Sequence, residues 1–535
     1  MFKKIRFYLV LGSVFLNRNR KYATFSFIAL LLVIFAVKIL IPSLAPSVLS
    51  VYRETGKATF IEGVVGNPAH PNPLFDSTET QRDISSLIFR GLTRIGADGN
   101  LLPDLAESYE KKSETEFIFY LREDVYWHDG EKFTADDVVY TVKLAQNPDY
   151  DSILVENFRD VEIEKIDQYT VRFGLNEAFT PFPYSTAVGI IPEHIPLSGY
   201  KPIGTGDFRV VKIGDREIIL TNPKMNLKFR FYPSFEEART ALKLGEIHAL
   251  GGLSPQEIEM IKKFGGKNFY SHVLPFRQVV VFFNTKHRAL RDKNVRQALS
   301  FAVDKKTVRE LVGGATAKLA SNHLALGSWV GVSKERYTYN LNKARRALEA
   351  AGYSKGEETW ENKEGPLVLT IVTADDPELN SIANLLKEFW GRLGIKVSVK
   401  ITEIDTLRDN TIPDRNFEVL INFQKVPLDP DQYVLWHTTQ QQKANITAIA
   451  SPQLDKLLEE ARKSSSQEKR KEEYKLFTTL LLDEAPAIFL YYPQYIWSVS
   501  DKVSGIDLTN FAFTSDRFNS YRNWEIEHGY RFFAK

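Results

Sequence analysis

A single apolar segment near the start of the chain constrains the fold most. Residues 22–41 read YATFSFIALLLVIFAVKILI, and twenty helical residues span about 30 Å, the hydrocarbon thickness of a bilayer. The only charge in the segment, Lys38, stands near its end, where a long side chain can reach the membrane surface. We therefore predict a transmembrane helix over 22–41. The alternative is a cleaved signal peptide, for which residues 43–45 (SLA) supply small residues around a cut, although Pro46 would follow it.

Basic residues are concentrated before this segment. Residues 1–57 hold nine of the 69 lysines and arginines but only one of the 67 acids, and six of those nine precede residue 22. Because positive charge stays on the cytoplasmic side of a membrane, we predict a basic cytoplasmic N-terminus (1–21), a tether (42–57) and an extracytoplasmic body, on the cell surface or the periplasmic side. The body is mildly acidic, with 60 basic and 66 acidic residues, which argues against a nucleic-acid partner.

The chain contains no cysteine. This excludes disulfides, thiolate metal sites and cysteine nucleophiles, as well as anchoring through a lipid-modified cysteine. A membrane tether therefore has to be a helix. The length of 535 residues is too great for one simple core, so we expect two or three lobes.

A proline-rich loop follows the first predicted strand. Residues 58–66 (ATFIEGVVG) favour a strand, and residues 67–73 (NPAHPNP) contain three prolines, which rule out a strand or helix there. Loops that leave a sheet in this way often contact ligands in α/β domains. Asn67, His70 and Asn72 are therefore ligand-contact candidates. The alternative for this loop is turn chemistry, because asparagine stabilises turns by itself.

The second half of the chain contains a strand–helix–strand pattern. Residues 367–372 (LVLTIV) predict a strand, and 377–393 predict a helix that Gly394 ends. Residues 395–401 (IKVSVKI) then alternate between apolar and polar as a strand does. Such a unit joins parallel strands through a right-handed crossover, so the pattern indicates an α/β fold.

Capping residues predict where several helices begin. Pro452 after Ser451 is typical of a first helical position after an N-cap, and Asp292 can cap the helix that follows it. Thr134 is followed by two acids at 136 and 137. We interpret that pair as the first turn of a capped helix, not as a catalytic dyad.

The sequence offers no motif for catalysis or for a cofactor. No two of the nine histidines stand at the i, i+4 spacing of a helical zinc pair, and no G-x-S-x-G element occurs. Residues 204–206 (GTG) lack the third glycine and the following lysine of nucleotide loops and favour a turn. We predict a binding protein that is not an enzyme and has no metal or cofactor. A metal site assembled across the fold stays open.

Several segments, taken together and in their order along the chain, resemble those of a known protein family. The most specific are 121–130 (LREDVYWHDG) and 133–138 (FTADDV). The others are 87–93 (LIFRGLT), 102–109 (LPDLAESY), 202–206 (PIGTG), 283–284 (FN), 294–304 (NVRQALSFAVD) and 344–353 (ARRALEAAGY). Together they resemble solute-binding proteins family 5, the dipeptide, oligopeptide and nickel-type binders of ABC importers. The resemblance extends roughly from Phe60 to the C-terminus.

This resemblance implies an α/β, two-lobed periplasmic-binding-protein-like fold with an extra subdomain in the first lobe. The limits we place on this basis are lobe I at 58–282 with a subdomain at about 76–200, lobe II at 283–490, and a C-terminal return to lobe I at 491–535. The chain then crosses between lobes near Val281–Asn284 and near Leu490–Pro493. Ligand binding is expected to close the lobes by a hinge motion.

The resemblance also implies a function. We expect the substrate-binding component of an ABC importer, a monomer that captures peptides or similar small solutes and works with permease and ATPase subunits. Two alternatives remain: a tethered ligand sensor or adhesion module on the same fold, and a hydrolase acting on envelope material. The sequence contains no catalytic motif for the hydrolase.

One segment departs from the pattern of the family's peptide binders. Those proteins carry an aromatic residue and then an aspartate, which holds the peptide α-ammonium, shortly before a D-P pair. Here residues 422–430 read NFQKVPLDP, and Val426 stands at the position of the acid. Since an unpaired buried amine is costly, either Asp429 or another acid substitutes, or the ligand has no free α-amine; Lys425 indicates an acidic group. The lobe II contact candidates are Phe423, Gln424, Lys425 and Asp429.

Overall fold

The computed structural model describes residues 57–331, 334–442 and 444–527. The predicted cytoplasmic N-terminus, the apolar segment 22–41 and the tether up to residue 56 lie outside these residues. Within the described ranges, no helix combines the length and the apolar character needed to cross a membrane. The transmembrane helix therefore stays a prediction.

The first of two large sheets contains the N-terminal strand. Across the sheet its seven strands are Lys267–Val273, Gln494–Ser500, Ala249–Gly251, Ala58–Val65, Met225–Tyr232, Glu217–Thr221 and Arg209–Gly214. The strand predicted at 58–66 is thus confirmed near the middle of this sheet. It runs parallel to Ala249–Gly251, whereas the strands at both edges are antiparallel to their neighbours.

The second large sheet contains the predicted strand–helix–strand unit. Its six strands are Lys318–Leu319, Ala487–Tyr492, Arg277–Phe283, Val419–Lys425, Val368–Ala374 and Lys396–Thr402. The strand at 368–374 pairs in parallel with 396–402 and also with 419–425. Helix Pro377–Leu393 joins the first two, as its pattern predicted. Gly394 ends this helix at φ 93°, a left-handed conformation that glycine adopts without a Cβ clash.

A third, antiparallel sheet lies within the stretch predicted as an inserted subdomain. Its four strands are Ala106–Ser113, Glu116–Leu121, Thr170–Leu175 and Val161–Asp167. Short ribbons pair Thr93–Ile95 with Leu101–Pro103, Val503–Ser504 with Glu525–Ile526, and Ser354–Lys355 with Trp360–Asn362 and Gly365–Pro366. The third sheet shares its apolar core with the first sheet, since Phe60, Phe119 and Trp497 belong to one buried cluster. The second sheet has a separate core.

Helices surround the sheets and begin at residues with side-chain caps. Those of eight or more described residues are Glu79–Ile88, Ala135–Gln146, Phe235–Leu244, Pro255–Lys262, Lys293–Phe301, Leu341–Ala350, Pro377–Leu393, Pro452–Lys463 and Gln467–Glu484. The predicted caps Thr134, Asp292 and Ser451 each accept a backbone N–H of the first turn. The interpretation of residues 136 and 137 as the start of a helix is therefore confirmed.

The helix that follows the proline-rich loop spans Glu79–Ile88. It ends at Ile88, because the amides of Gly206 and Phe208 donate to the carbonyls of Ile88 (2.7 Å) and Leu87 (3.0 Å). A Cβ on Gly204 would lie 1.8 Å from the Ile88 carbonyl oxygen. The glycines at 204 and 206 thus allow two backbones to approach closely, which agrees with a turn and not with a nucleotide loop.

The two large sheets are connected at two places that lie side by side. Strand 267–273 of the first sheet leads to strand 277–283 of the second, and strand 487–492 returns to strand 494–500 of the first. The amide of Leu274 in one connection donates to the carbonyl of Pro493 in the other at 2.8 Å. The first change of sheet therefore comes earlier than the crossing predicted near Val281–Asn284, because strand 277–283 pairs with 419–425. The predicted limits of the lobes as domains stay a prediction.

A buried ionic cluster fixes the returning chain to the first sheet. Arg517 lies between the carboxylates of Glu62 and Asp83, and Thr514 donates to Asp83 at 2.6 Å. The indole N–H of Trp497 donates to Glu62 at 3.1 Å. Separating the partners of a buried ion pair is costly, because it leaves a buried charge uncompensated. These contacts therefore hold the C-terminal residues against the strand Ala58–Val65.

Candidate binding cleft

The two lobes meet at a polar contact on the side of the third sheet. The amide of Thr180 donates to the carbonyl of Arg462 at 3.1 Å, and the Thr180 hydroxyl donates to the carbonyl of Ser464 at 3.1 Å. The Arg462 guanidinium also lies over the ring of Phe179, 4.7 Å from its centroid. We call these four residues the latch, because they join the third-sheet region to the end of helix 452–463 in the second lobe.

A second group of residues joins the lobes near the paired connections. Arg277 begins its strand directly after the first connection, and its guanidinium lies 3.3 Å from the carboxylate of Glu79 in the first lobe. The same guanidinium lies over the ring of Phe423 at 4.1 Å from the centroid. Lys425 stands opposite Arg277 in the antiparallel pairing. The side chains here come from one helix of the first lobe and two strands of the second.

Lys425 is the least compensated charge in this group. Its side chain is exposed, and its ammonium has no hydrogen-bond or ion-pair partner among the residues that the structure describes. Surrounding protein atoms, and then the positive charge of Arg82, lower the pKa of Lys425 to about 8; Arg277 acts in the same direction, and Glu79 opposes them. The ammonium therefore stands among like charges and remains accessible to solvent.

The three contact candidates on the proline-rich loop 67–73 differ in whether their side chains are free to contact a ligand. Asn67 and His70 are exposed, whereas Asn72 is buried, and its side-chain oxygen accepts the amide of Leu74 at 3.0 Å. The alternative role, in which the Asn72 side chain stabilises a turn, thus explains this residue.

A cavity of about 100 Å³ lies beneath the loop. Its lining includes Gly66, Asn67, Ala69, Pro71, Thr78 and Gln81.

Asp429 is occupied within the protein. It is 6% exposed, and Arg470 donates to its carboxylate at 2.5 Å. Arg470 in turn donates to the carbonyl of Ala461 at 3.1 Å. Val426 is also buried, with its amide bound to the carbonyl of Phe276 at 2.9 Å. Neither position presents a free carboxylate to the space between the lobes.

The structure thus brings together only some of the predicted contact residues. Phe423 and Lys425 lie with Arg277 at the lobe boundary, and the side chain of Gln424 donates to the Lys425 carbonyl at 2.7 Å. In the described residues no hydrogen bond or ion pair links Asn67 or His70 to them. As a set of ligand contacts, the seven candidates stay a prediction.

Sequence reasoning missed three charged residues of this boundary: Glu79, Arg82 and Arg277. Two of them stand in the first turns of the helix that follows the proline-rich loop, which was a usable signal. The pairing of Arg277 with Lys425 depends on strand register, which no local pattern reveals.

Among the described residues, no group of three or more histidines and acids is placed to hold a metal ion.

Two α/β lobes joined by adjacent connections, with side chains of both meeting between them, define a two-lobed solute-binding protein. The sequence profile of the bacterial extracellular solute-binding proteins, family 5 (middle region), matches residues 100–445, and the chain belongs to this family. The family resemblance and the substrate-binding function predicted from the sequence are therefore confirmed.

Relatives match over most of their length. The oligopeptide-binding protein AppA of Bacillus subtilis (strain 168) is 24% identical over 480 residues, which cover 83% of this chain and 88% of the relative. The dipeptide-binding protein of Escherichia coli (strain K12) is 25% identical over 496 residues, which cover 82% and 90%.

Solved structures agree on the fold. NikZ from Campylobacter jejuni, in complex with Ni(L-His), superposes with a TM-score of 0.74 at 26% identity and covers 88% of this chain and 99% of its own. AppA from Bacillus subtilis, in complex with a nonapeptide, superposes with a TM-score of 0.73 at 22% identity and covers 89% and 100%. The predicted two-lobed α/β fold is confirmed.

Proposed function

We propose that this chain is the membrane-tethered receptor of an ABC importer and captures peptides or similar small solutes between its lobes. The observation that carries the proposal is the pair of adjacent connections, joined by the hydrogen bond from Leu274 to Pro493. Two short links at one edge let two lobes rotate about a common axis. The names of the relatives, oligopeptide-binding and dipeptide-binding proteins, support peptides as the ligand class.

The contacts between the lobes suggest how closure is stabilised. The latch lies between the third-sheet region and helix 452–463, and the Arg277–Glu79 pair lies beside the connections. Each contact is modest, since a partly exposed ion pair contributes about 0–1 kcal/mol. A solute that touches both lobes adds to them and shifts the population toward the closed state. Permease subunits would then recognise that state.

Binding without catalysis is part of the proposal. A solute receptor of this kind needs no activated nucleophile or bound metal, and its chemical work is done by recognition and hinge closure. The partners would be permease and ATPase subunits of the importer. We expect the receptor itself to be a monomer, because one chain supplies both lobes of the cleft.

Ligand capture is tested on the full-length protein extracted from membranes. Mass spectrometry of molecules that co-purify with it should find peptides or peptide-sized solutes. Thr180→Arg places a bulky charge in the latch and should reduce the amount recovered, whereas Thr479→Arg, on an exposed helix face, should not. Recovery of sugars alone, or equal recovery from both variants, would count against peptide capture by lobe closure.

The tether is tested separately. N-terminal sequencing of the protein from membranes should yield a start at or near Met1, because the apolar segment 22–41 is retained as an anchor. A start at Pro46 would show a cleaved signal peptide instead.

A further inference from the structure

Positive charge accumulates at the boundary between the lobes. Arg82 comes from the first-lobe helix Glu79–Ile88, whereas Arg277 and Lys425 come from neighbouring strands of the second sheet. We call these three residues the cation cluster. Glu79 is the acid that pairs with it, at 3.3 Å from Arg277. Two further carboxyls act on the cluster through space: Asp76 on Arg82 and Glu378 on Arg277. Burial raises the pKa of both groups, and Glu378 already accepts the hydroxyl of Tyr491 at 2.6 Å.

The remaining polar contacts of the cluster do not neutralise it. Arg82 donates to the main-chain carbonyls of Asp76 and Ser77, at 3.3 and 2.8 Å. These oxygens are neutral, and Lys425 has no hydrogen-bond or ion-pair partner among the described residues. A surface lysine by itself is ordinarily a solvated charge. Here, however, cations of both lobes converge, so closure of the lobes brings like charges together at a cost.

An anion between the lobes would remove that cost. A carboxylate can accept charge-assisted hydrogen bonds from a lysine and an arginine at once, and such bonds are shorter and stronger than neutral ones. Burial among protein atoms, and after it the positive charges of Arg82 and Arg277, lower the pKa of Lys425 to about 8. A ligand carboxylate would supply the counter-ion and raise that pKa again.

Among the described residues of the segment 423–429 and its ion-pair partners, each acidic side chain is already engaged within the protein. Asp429 is held by Arg470, Val426 is apolar and buried, and Glu79 already pairs with Arg277. A cationic group placed here would be repelled by Lys425, Arg82 and Arg277, and the Glu79 carboxylate offsets only part of that repulsion. The charge pattern therefore discriminates between the two ends of a peptide-like solute.

We infer that the captured solute carries a carboxylate and that Lys425 and Arg277, supported by Arg82, bind it at the lobe boundary. The inference rests on the proposed function and names the class of solute: acidic, with its anionic group at the second-lobe segment 423–426. A peptide in this cleft would place its carboxylate end, not its α-amine, next to Lys425.

The test uses tetrapeptide libraries built from uncharged residues in three end-group forms. One form is acetylated with a free carboxylate, one is acetylated and amidated, and one has a free amine and an amidated end, so that the net charges are −1, 0 and +1. Each is titrated onto the full-length protein in detergent, and retention after gel filtration is measured by mass spectrometry. We expect the anionic form to be retained most and the cationic form least.

Variants assign the preference to the cluster. Lys425→Gln should lower the affinity for the anionic form about tenfold, the size expected for loss of one charge-assisted bond, and should leave the neutral form unchanged. Arg277→Gln should act in the same direction. Lys400→Gln, on the exposed edge strand 396–402, is the matched control and should change nothing. Lys425→Glu should reverse the preference toward the free-amine form.

The outcomes separate the inference from the function on which it rests. Equal retention of the three forms, a preference for the cationic form, or unaltered behaviour of Lys425→Gln would overturn the inference and leave solute capture in place. If no form is retained at any concentration, capture of peptides fails and the inference fails with it.

Discussion

At the scale of single residues, the inferred contact between Lys425 and an anionic solute predicts that binding is sensitive to pH. The charged groups that face it are Arg82, Arg277 and Glu79, and arginine and glutamate keep their charges between pH 7 and 9.5. Lys425, with a pKa of about 8, loses its proton in that interval. Affinity for an acidic solute should therefore fall as the pH rises through about 8. Titration of the carboxylate library at pH 7.0, 8.0 and 9.5 measures this.

Lys425→Arg provides the control for this pH effect. Arginine stays protonated throughout the interval, so the variant should bind the acidic form with an affinity that changes little from pH 7.0 to 9.5. If the wild-type protein and the variant show the same pH profile, another group is responsible and Lys425 does not contact the anion.

Asp429 poses a different question, because the sequence suggested a ligand contact and the structure places the residue in a buried ion pair. Asp429→Asn leaves the Arg470 guanidinium without a counter-charge, and loss of one partner from such a pair costs about 3 kcal/mol. We expect the free energy of unfolding to fall by about that amount and the solute affinity of the folded protein to stay the same. Chemical denaturation and a binding titration measure the two effects.

Asp414→Asn is a suitable control for Asp429→Asn because Asp414 is exposed, and it should alter neither quantity. A loss of affinity for free-amine peptides in Asp429→Asn, with little change in stability, would instead make Asp429 the substitute acid considered from the sequence.

At the scale of elements, the latch connects the third-sheet region to helix Pro452–Lys463. Thr180→Val keeps the shape of the side chain and removes the hydroxyl that donates to Ser464. A single hydrogen bond contributes roughly 0.5–1.5 kcal/mol, so the dissociation constant of the solute should rise about two- to tenfold. Calorimetric titration measures it. Thr479→Val removes a hydroxyl that bonds only within its own helix and should leave affinity unchanged.

The elements also show which features a sequence can predict. Helix Pro377–Leu393 follows its pattern to both ends, since Asp376 caps it and Gly394 stops it, and both signals are local. Helix Glu79–Ile88 ends where its last carbonyls, those of Leu87 and Ile88, accept amides more than a hundred residues away in the chain. Contacts of that kind leave no trace in a local pattern.

The same distinction between local signals and distant contacts applies to the candidate site. The segment 423–425 and the loss of an acid at Val426 were visible in the sequence because neighbouring residues define them. The partners that give Lys425 its electrostatic setting, Arg82 and Arg277, come from a distant helix and from strand register. Only the folded chain brings them together.

At the scale of the whole molecule, the proposed hinge predicts a change in distance between the lobes. Since the chain has no cysteine, labels can be attached at introduced cysteines alone. Glu177→Cys and Lys463→Cys, both exposed and close to the latch, should approach each other by more than about 2 Å when a bound solute closes the lobes. Distances between spin labels, measured with and without the peptide library, test this.

A pair within one lobe shows whether such a change reports on the hinge. Glu177→Cys with Glu107→Cys places both labels in the region of the third sheet, so their distance should stay constant. Equal changes in both pairs would indicate a local rearrangement, and no change in either would contradict closure by rotation.

The side-by-side connections have a consequence for how such a molecule can be altered. The stretch from Arg277 to Tyr492 leaves and rejoins the first sheet at neighbouring strands, with Leu274 bonded to Pro493. It is therefore a continuous cassette whose two ends adjoin, the geometry in which insertion and exchange of domains are best tolerated. Recombination could replace the cassette, and with it one wall of the proposed binding cleft, while the first-sheet scaffold and the predicted membrane tether are kept.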